Sequence, residues 1–309
     1  MSHARTCVVT INYKGASDTV ACITSLHTSS VPVSIVVVDN TPDDPDLIDA
    51  LKSYPEVKLI RAPENLGFGR GNNLGIEWAL RNSDCEFIFI FNNDATVERE
   101  TIEKLQRVMD ERPTSGIATG RIVLSENPEI LWYGGGEIDW RRGGAIIPGI
   151  MQPSDGQLPM RSREVGFASG CAMLIRRTVI VDIGVFDPVF FMYEEDVDLS
   201  LRVRENYSIY YDSSALMFHK GQGSQRKPNE SFQGKWSASN QNYSFHVYHM
   251  TRNSVINARK HAKGKDKLTW LIFYPLFLLK KTMKVSIHLG FAGFKPAFAG
   301  VIDGMKIKV

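Results

Sequence analysis

Glu86-Phe87-Ile88-Phe89-Ile90-Phe91-Asn92-Asn93-Asp94 decides how this chain is read. Its apolar run is too short for a helix and suits a strand buried on both faces, and three polar residues stop it. The same pattern recurs upstream. Residues 7–13, Cys-Val-Val-Thr-Ile-Asn-Tyr, read as a strand. Residues 34–38, Ser-Ile-Val-Val-Val, read as a second, ending at Asp39-Asn40. A third covers 57–60 and another begins at 117–120. Helices fit between them at 17–26, 46–53, 72–81 and 98–111; the first carries Val20, Ile23, Thr24 and His27 at helical spacing, and the last puts Ile102, Leu105 and Met109 on one face. Strands alternating with helices predict an α/β fold with a mainly parallel central sheet covered on both faces. In such sheets ligands sit beyond the carboxyl ends of the strands. The polar residues at those ends, Asn12, Asp39, Asn65 and Asn92-Asn93-Asp94, should therefore converge on one crevice.

The 309 residues are 43% hydrophobic and 23% charged, an ordinary globular balance with room for one large domain and an appendage. A net charge of +2 gives no general nucleic-acid signal, and no nucleic-acid partner is expected. Cys7, Cys22, Cys85 and Cys171 show no paired spacing, so buried thiols in a reducing compartment are expected. No signal peptide is expected. The one membrane-like segment, 268–279, contains Pro275 and falls short of the ~20 apolar residues a span needs.

Beyond residue 120 the pattern loosens. Residues 122–160 are rich in Gly and Pro and read as hairpins and a loop. Residues 167–176 and 207–218 read as strands, the second followed by His219. Residues 221–243 are polar and read as a lid, and from Phe245 the chain turns helical and basic.

The segment Phe190-Phe191-Met192-Tyr193-Glu194-Glu195-Asp196-Val197-Asp198 sets four carboxylates directly after an apolar run. Crowded, poorly solvated acids raise the pKa of one of their number, which makes a candidate general base. The same acids also suit a helix N-terminus, with Arg202 and Arg204 a turn later. Asn92-Asn93-Asp94 reads either as a turn or as an oxygen-ligand site for a hard cation. The stretch 64–75 is a Gly-rich loop running into a helix, whose amides and Arg70 face phosphates or simply form a cap.

Taken in order, five motifs resemble the family 2 nucleotide-sugar glycosyltransferases of GT-A fold. They are Val36-Val37-Val38-Asp39-Asn40, the stretch Asn65-Leu66-Gly67-Phe68-Gly69-Arg70-Gly71-Asn72-Asn73-Leu74-Gly75, Phe91-Asn92-Asn93-Asp94, Ser169-Gly170-Cys171-Ala172-Met173-Leu174-Ile175-Arg176, and Tyr193-Glu194-Glu195-Asp196-Val197-Asp198-Leu199. The wording is most similar to the bacterial rhamnosyltransferase branch, which builds O-antigen and other surface polysaccharides. The resemblance implies a GT-A domain over 1–225, with a donor half to about 120, and a lid plus helical region over 226–309. It implies that Thr10, Asn12, Asp39, Asn65, Arg70, Asn73, Asn93 and Arg252 bind the dTDP- or UDP-sugar donor. Asp94 and His219 would hold Mg²⁺ or Mn²⁺, and Asp196, with Glu195 as the second choice, would be the base. The family's Asp-x-Asp is here Asn92-Asn93-Asp94, with one carboxylate. One base and one cation imply inverting displacement by an acceptor hydroxyl. Asp198 is expected to cap the helix or pair with Arg202.

Residues 259–284 carry eight Lys or Arg around the run from Trp270 to Leu279. Basic residues flanking an apolar aromatic segment predict peripheral binding to an anionic membrane on its cytoplasmic side, which would bring the enzyme to a lipid-linked glycan acceptor. The alternatives are a packed helix or a homodimer interface.

Overall fold

The computed structural model describes residues 4–41, 44–221 and 236–309. The chain runs β1 (Thr6–Asn12), α1 (Ala16–His27), β2 (Val33–Asp39), α2 (Pro45–Ala50), β3 (Lys58–Arg61), α3 (Gly67–Asn82), β4 (Phe87–Phe91), β5 (Ala95–Val97) and α4 (Thr101–Glu111). It continues through β6 (Ser115–Leu124), β7 (Asn127–Tyr133), β8 (Glu137–Asp139), β9 (Gly144–Ile146), β10 (Arg163–Glu164), β11 (Ala172–Arg176), α5 (Arg177–Ile183), α6 (Glu195–Val203) and β12 (Ser208–His219). Three helices close it: α7 (Tyr243–His261), α8 (Gly264–Leu289) and α9 (Lys295–Lys306).

The main sheet has the order β10-β12-β6-β11-β4-β1-β2-β3. The expected parallel core is β4-β1-β2-β3, and all five residues of β4 are buried, as its sequence requires. Beyond β4 the sheet is mixed: β11 runs antiparallel to β4 and β6, while β12 runs parallel to β6. From β1 the chain winds outward to β2 and β3, then returns to place β4 on the other side of β1. That reversal opens a crevice at the carboxyl ends of β1 and β4. Register does the rest. Asn12 lies opposite Asp39, and the antiparallel pairing of β12 with β5 sets His219 opposite Ala95, one residue from Asp94.

The Gly-rich stretch is mostly not a loop. Helix α3 already begins at Gly67, so the predicted start at residue 72 was a turn and a half late. The glycines let α3 sit directly on its neighbours. A Cβ at Gly75 would meet Val9 Cγ1 at 2.3 Å. Gly67 has φ +76°, and a Cβ there would fall 2.1 Å from the Phe191 carbonyl oxygen, the same oxygen that accepts from Phe68 N at 2.8 Å. The N-terminus of α3 is thus pinned to the strand of chain that leads into the acidic segment.

The four cysteines are buried thiols. Helix α7 lies against α9, where Gly300 and Gly304 approach the α7 backbone so closely that a Cβ would meet Tyr248 O at 2.7 Å and Arg252 O at 2.6 Å. Arg259 caps α9 by donating to the Gly304 and Ile307 carbonyls at 2.8 and 2.6 Å. Trp140, Val255, Ala258, Ala262, Trp270 and Tyr274 form a second apolar cluster that ties the β8–β9 hairpin to α7 and α8. Among the described residues no single helix is long and apolar enough to cross a membrane, although α8 and α9 together, bent by 84°, reach that length and composition. The predicted lid at 221–243 falls largely on residues 222–235, outside the described residues.

Candidate active site

A cavity of about 270 Å³ lies where the strand ends meet, bounded by Asn40, Asn65, Asn92-Asn93-Asp94, Ser169-Gly170-Cys171 and Met192 to Asp196. A larger hollow of about 530 Å³ beside β10, lined by Glu137, Arg163, Glu164 and Arg204, contains none of the expected site residues. Its Arg163 is already spent on the Gly134, Leu158 and Arg161 carbonyls.

The crevice floor is a web of carboxamides. Asn40 donates to the Gly67 carbonyl at 3.0 Å and to Asn65 Oδ1 at 3.1 Å, and accepts from Leu66 N at 3.0 Å. Asn65 Oδ1 also takes Gly67 N at 3.0 Å, a local turn just ahead of α3. Asn12 is fully buried; it donates to Asp39 and Asp44 at 3.1 and 3.0 Å and accepts from Thr19 at 3.0 Å. Asp39 is also buried, and accepts from the amides of Thr41 and Asp44. Asn12 and Asp39 therefore shape the loop behind the crevice, and Asn40, which the sequence reading passed over, reaches the cavity wall.

Four other expected donor residues are not on that wall. Thr10 is buried inside β1. Arg70 is exposed on the outer side of α3. Asn73 is turned toward α5's far end, exchanging hydrogen bonds with the Phe186 backbone at 2.8 and 3.1 Å, while Asn72, one residue back and roughly 100° round the helix, lines the cavity. Arg252 sits on α7 and donates to the Val189 carbonyl at 3.1 Å and to Asn253 Oδ1 at 2.7 Å.

Asp94 and His219 meet across the β5–β12 register, with Oδ1 and Nε2 3.0 Å apart. Burial works against a proton on His219, but the charge and hydrogen bond of Asp94, helped by Cys171, raise its pKa well above the ordinary value. Asn93 leans the other way, donating to Thr19 Oγ1 at 3.0 Å. Trp132, which the sequence reading did not single out, lines the cavity with its ring 4.8 Å from that of His219. A carboxylate oxygen and an imidazole nitrogen side by side on a cavity wall suit Mn²⁺ better than Mg²⁺, which takes oxygen ligands, and His219 would have to release its proton for Nε2 to serve. Among the described residues no cluster of three or more His, Cys, Asp or Glu is placed to hold a metal, so phosphate oxygens and water would complete the shell.

Opposite stands the acidic segment. Tyr193 and Glu194 both have φ +70°, a left-handed pair that costs roughly 1–2 kcal/mol per residue. The kink swings α6 so that its first residues, Glu195 and Asp196, face the cavity. Asp196 is half-buried and held by two amides, Gly170 N to Oδ2 at 2.8 Å and Val197 N to Oδ1 at 2.9 Å. Glu195 is buried beneath it, with its stem against Gly69. Asp198 points away into the protein, paired with Arg202 at 2.9 Å, His261 at 2.9 Å and Lys260. Burial pushes its pKa up, but His261, Arg202 and Lys260 together outweigh that and hold it at about 2. For this member of the cluster the expected upward shift is reversed, because two cations and the hydrogen bond to His261 replace the lost water.

Residues 7–184, which carry the crevice floor and Asp94, match the family described as Glycosyl transferase family 2. The chain belongs to that family. This glycosyltransferase is 26% identical over 268 residues to the N-acetylglucosaminyl-diphospho-decaprenol L-rhamnosyltransferase of Mycobacterium tuberculosis, covering 72% of the chain and 78% of the relative. It is 27% identical over 204 residues to the low-salt glycan biosynthesis hexosyltransferase Agl10 of Haloferax volcanii, covering 65% and 62%. Among solved structures, S. aureus TarS residues 1–349 superpose with TM-score 0.58 at 13% identity, covering 97% of the glycosyltransferase and 81% of TarS. The mannosyltransferase PcManGT from Pyrobaculum calidifontis, in complex with GDP-Man and Mn²⁺, superposes with TM-score 0.56 at 13% identity, covering 100% and 77%. These likenesses establish the GT-A architecture of the glycosyltransferase.

Proposed function

We propose that the enzyme transfers L-rhamnose from dTDP-rhamnose, with inversion, to a lipid-linked glycan during synthesis of a bacterial surface polysaccharide. The observation that carries the chemistry is the facing pair: Asp196, half-buried and fixed by two amides, across one cavity from Asp94 and His219. The mycobacterial relative, an N-acetylglucosaminyl-diphospho-decaprenol L-rhamnosyltransferase, supports the sugar and the acceptor class.

Asp196 takes the proton of the acceptor hydroxyl as its oxygen attacks the anomeric carbon. Its two amide contacts keep the carboxylate aimed, so no reorganisation is needed at the moment of attack. The diphosphate leaves from the opposite face of the sugar ring, which inverts the centre. Asp94 and His219 would hold a divalent cation, which when bound offsets the charge gathering on the leaving diphosphate. Trp132 offers an aromatic face to a sugar ring at the cavity rim.

A screen of dTDP-rhamnose against UDP-glucose, UDP-galactose and UDP-galactofuranose, read as diphosphate release with a polyprenyl-diphosphate-linked acceptor, tests this. The expected result is turnover of dTDP-rhamnose that EDTA stops and Mg²⁺ or Mn²⁺ restores, with Asp94→Ala weakening donor binding. Turnover of a UDP-hexose instead moves the donor. Full activity in EDTA removes the metal, and no turnover of any donor leaves an assembly protein on this scaffold.

The C-terminal helices supply the route to a lipid-linked acceptor. Leu268, Leu271, Ile272, Leu276, Met283 and Ile287 of α8 are exposed, as are Phe291 beyond it and Phe298 on α9. Arg141, Arg142, Lys280 and Lys284 are exposed along the same region. Burial, then the charges of Lys284 and Arg142, lower the pKa of Lys281, so these cations are crowded together. Two of the eight basic residues counted in the sequence do other work: Arg259 caps α9 and Lys260 binds Asp198. An apolar face rimmed by the remaining cations fits an anionic bilayer surface, each cation near it contributing roughly 1 kcal/mol. Flotation with phosphatidylglycerol vesicles should carry the protein upward, with salt releasing only part of it, and Leu271→Glu with Leu276→Glu should leave it at the bottom. If both proteins float alike, or neither does, α8 is not the docking face, and sizing then tells whether it joins two copies instead.

A further inference from the structure

Helix α7 lies outside the matched residues 7–184, yet it grips the chain at the site. Asn253, fully buried, donates to the Met192 carbonyl at 2.9 Å and the Tyr193 carbonyl at 2.8 Å. Asn257, one turn on and 1% exposed, donates to the Glu194 carbonyl at 3.0 Å. Three consecutive carbonyls leading into Glu195 and Asp196 are thereby held by two side chains at i and i+4 on one helix face. Arg252 fixes the sense of the first amide. Its donation to Asn253 Oδ1 at 2.7 Å leaves the Nδ2 protons for the carbonyls. The gripped residues include the two with φ +70°, a conformation that persists only where its surroundings over-determine it.

We propose that Asn253 and Asn257 are positioning residues for the base: they hold the left-handed Tyr193–Glu194 turn that aims Asp196 into the cavity. The inference rests on the reading of Asp196 given above and adds to it the parts that set its aim. Without the clamp, the turn relaxes toward ordinary backbone angles, and the first residues of α6 move with it. The cavity residues Asn40, Asn65 and Asn72 lie just past β2, just before α3 and on α3; they meet this segment through the Phe68 N to Phe191 carbonyl bond, which the clamp does not make. Losing the clamp should therefore lower kcat and spare the donor KM. A displacement of about 1 Å at a reacting group is worth up to about a hundredfold in rate.

The test uses the full chain and two readouts. Asn257→Ala is compared with wild type for kcat and donor KM, and by hydrogen exchange of the peptide covering residues 190–200 with no substrate present. The expected result is a tenfold to hundredfold lower kcat at unchanged donor KM, with faster exchange confined to 190–200. Asn257→Ser, which keeps a shorter donor, should fall between the two proteins and serves if the alanine variant does not fold. Wild-type kcat, or exchange at 190–200 equal to wild type, overturns the proposal. A drop in kcat with exchange raised equally across β1 to β4 also overturns it, because that is general loosening. Should wild type turn over no donor, the functional reading fails while the exchange experiment still decides the clamp.

Discussion

Asp196→Asn is expected to lower kcat by about 10²–10⁴-fold while the protein stays folded and still binds donor. The substitution keeps the shape, and the remaining carbonyl oxygen retains one of the two amide contacts from Gly170 and Val197. What disappears is a group able to accept the acceptor's proton. On the proposed reading, donor affinity is set on the other side of the cavity, at Asn40, Asn65 and the Asp94–His219 pair, so KM for the nucleotide sugar should hold. Initial rates against donor and acceptor, with thermal unfolding as a control for folding, decide the matter. A variant that transfers at a near-normal rate removes Asp196 as the base and leaves Glu195, which the matching Glu195→Gln variant would then expose.

Asp198→Ala should be the most destabilising single change in the acidic segment, at about 3–5 kcal/mol. Its carboxylate is fully buried, and its removal leaves Arg202 and His261 facing a void and Lys260 with Asp187 at 2.8 Å alone. The pH dependence has a definite sign. The folded pKa of about 2 lies below the ordinary 3.8, so the folded state favours the ionised form. The resulting stabilisation, roughly 2 kcal/mol, is complete above about pH 4 and is lost as pH falls toward 2. Urea midpoints of wild type and variant should accordingly differ most at neutral pH and draw together in acid. Equal midpoints at pH 7 would show that the network contributes nothing net.

The parallel half of the fold was legible because each strand is a short apolar run with a polar stop, and β4 states the case in five residues. The crevice followed from where those stops fall. Two kinds of detail were not legible. The first is helical phase: Asn72 and Asn73 are neighbours in sequence but point about 100° apart, so a start for α3 misplaced by five residues gives no means of choosing between them. The second is pairing across distance. Nothing near Asp39 says that Asn12 and two backbone amides occupy its carboxylate, and nothing near Trp132 says that β7 will bring it to His219. The Asn253 and Asn257 pair did leave a trace, two polar poor helix formers four residues apart within a long helix. Only the backbone carbonyls they meet explain them.

Order of synthesis gives the α7 clamp a temporal meaning. The strands, the cavity and the residues around the base are all made by residue 219, whereas Asn253, Asn257, Lys260 and His261 are translated afterwards. On the clamp proposal, a nascent chain at that stage would have its turn unlocked and Asp198 short of two of its partners. On that proposal competence arrives with α7, immediately before α8 and α9 add the exposed apolar face, so the locking of the turn and the making of the surface proposed to meet the membrane are consecutive events.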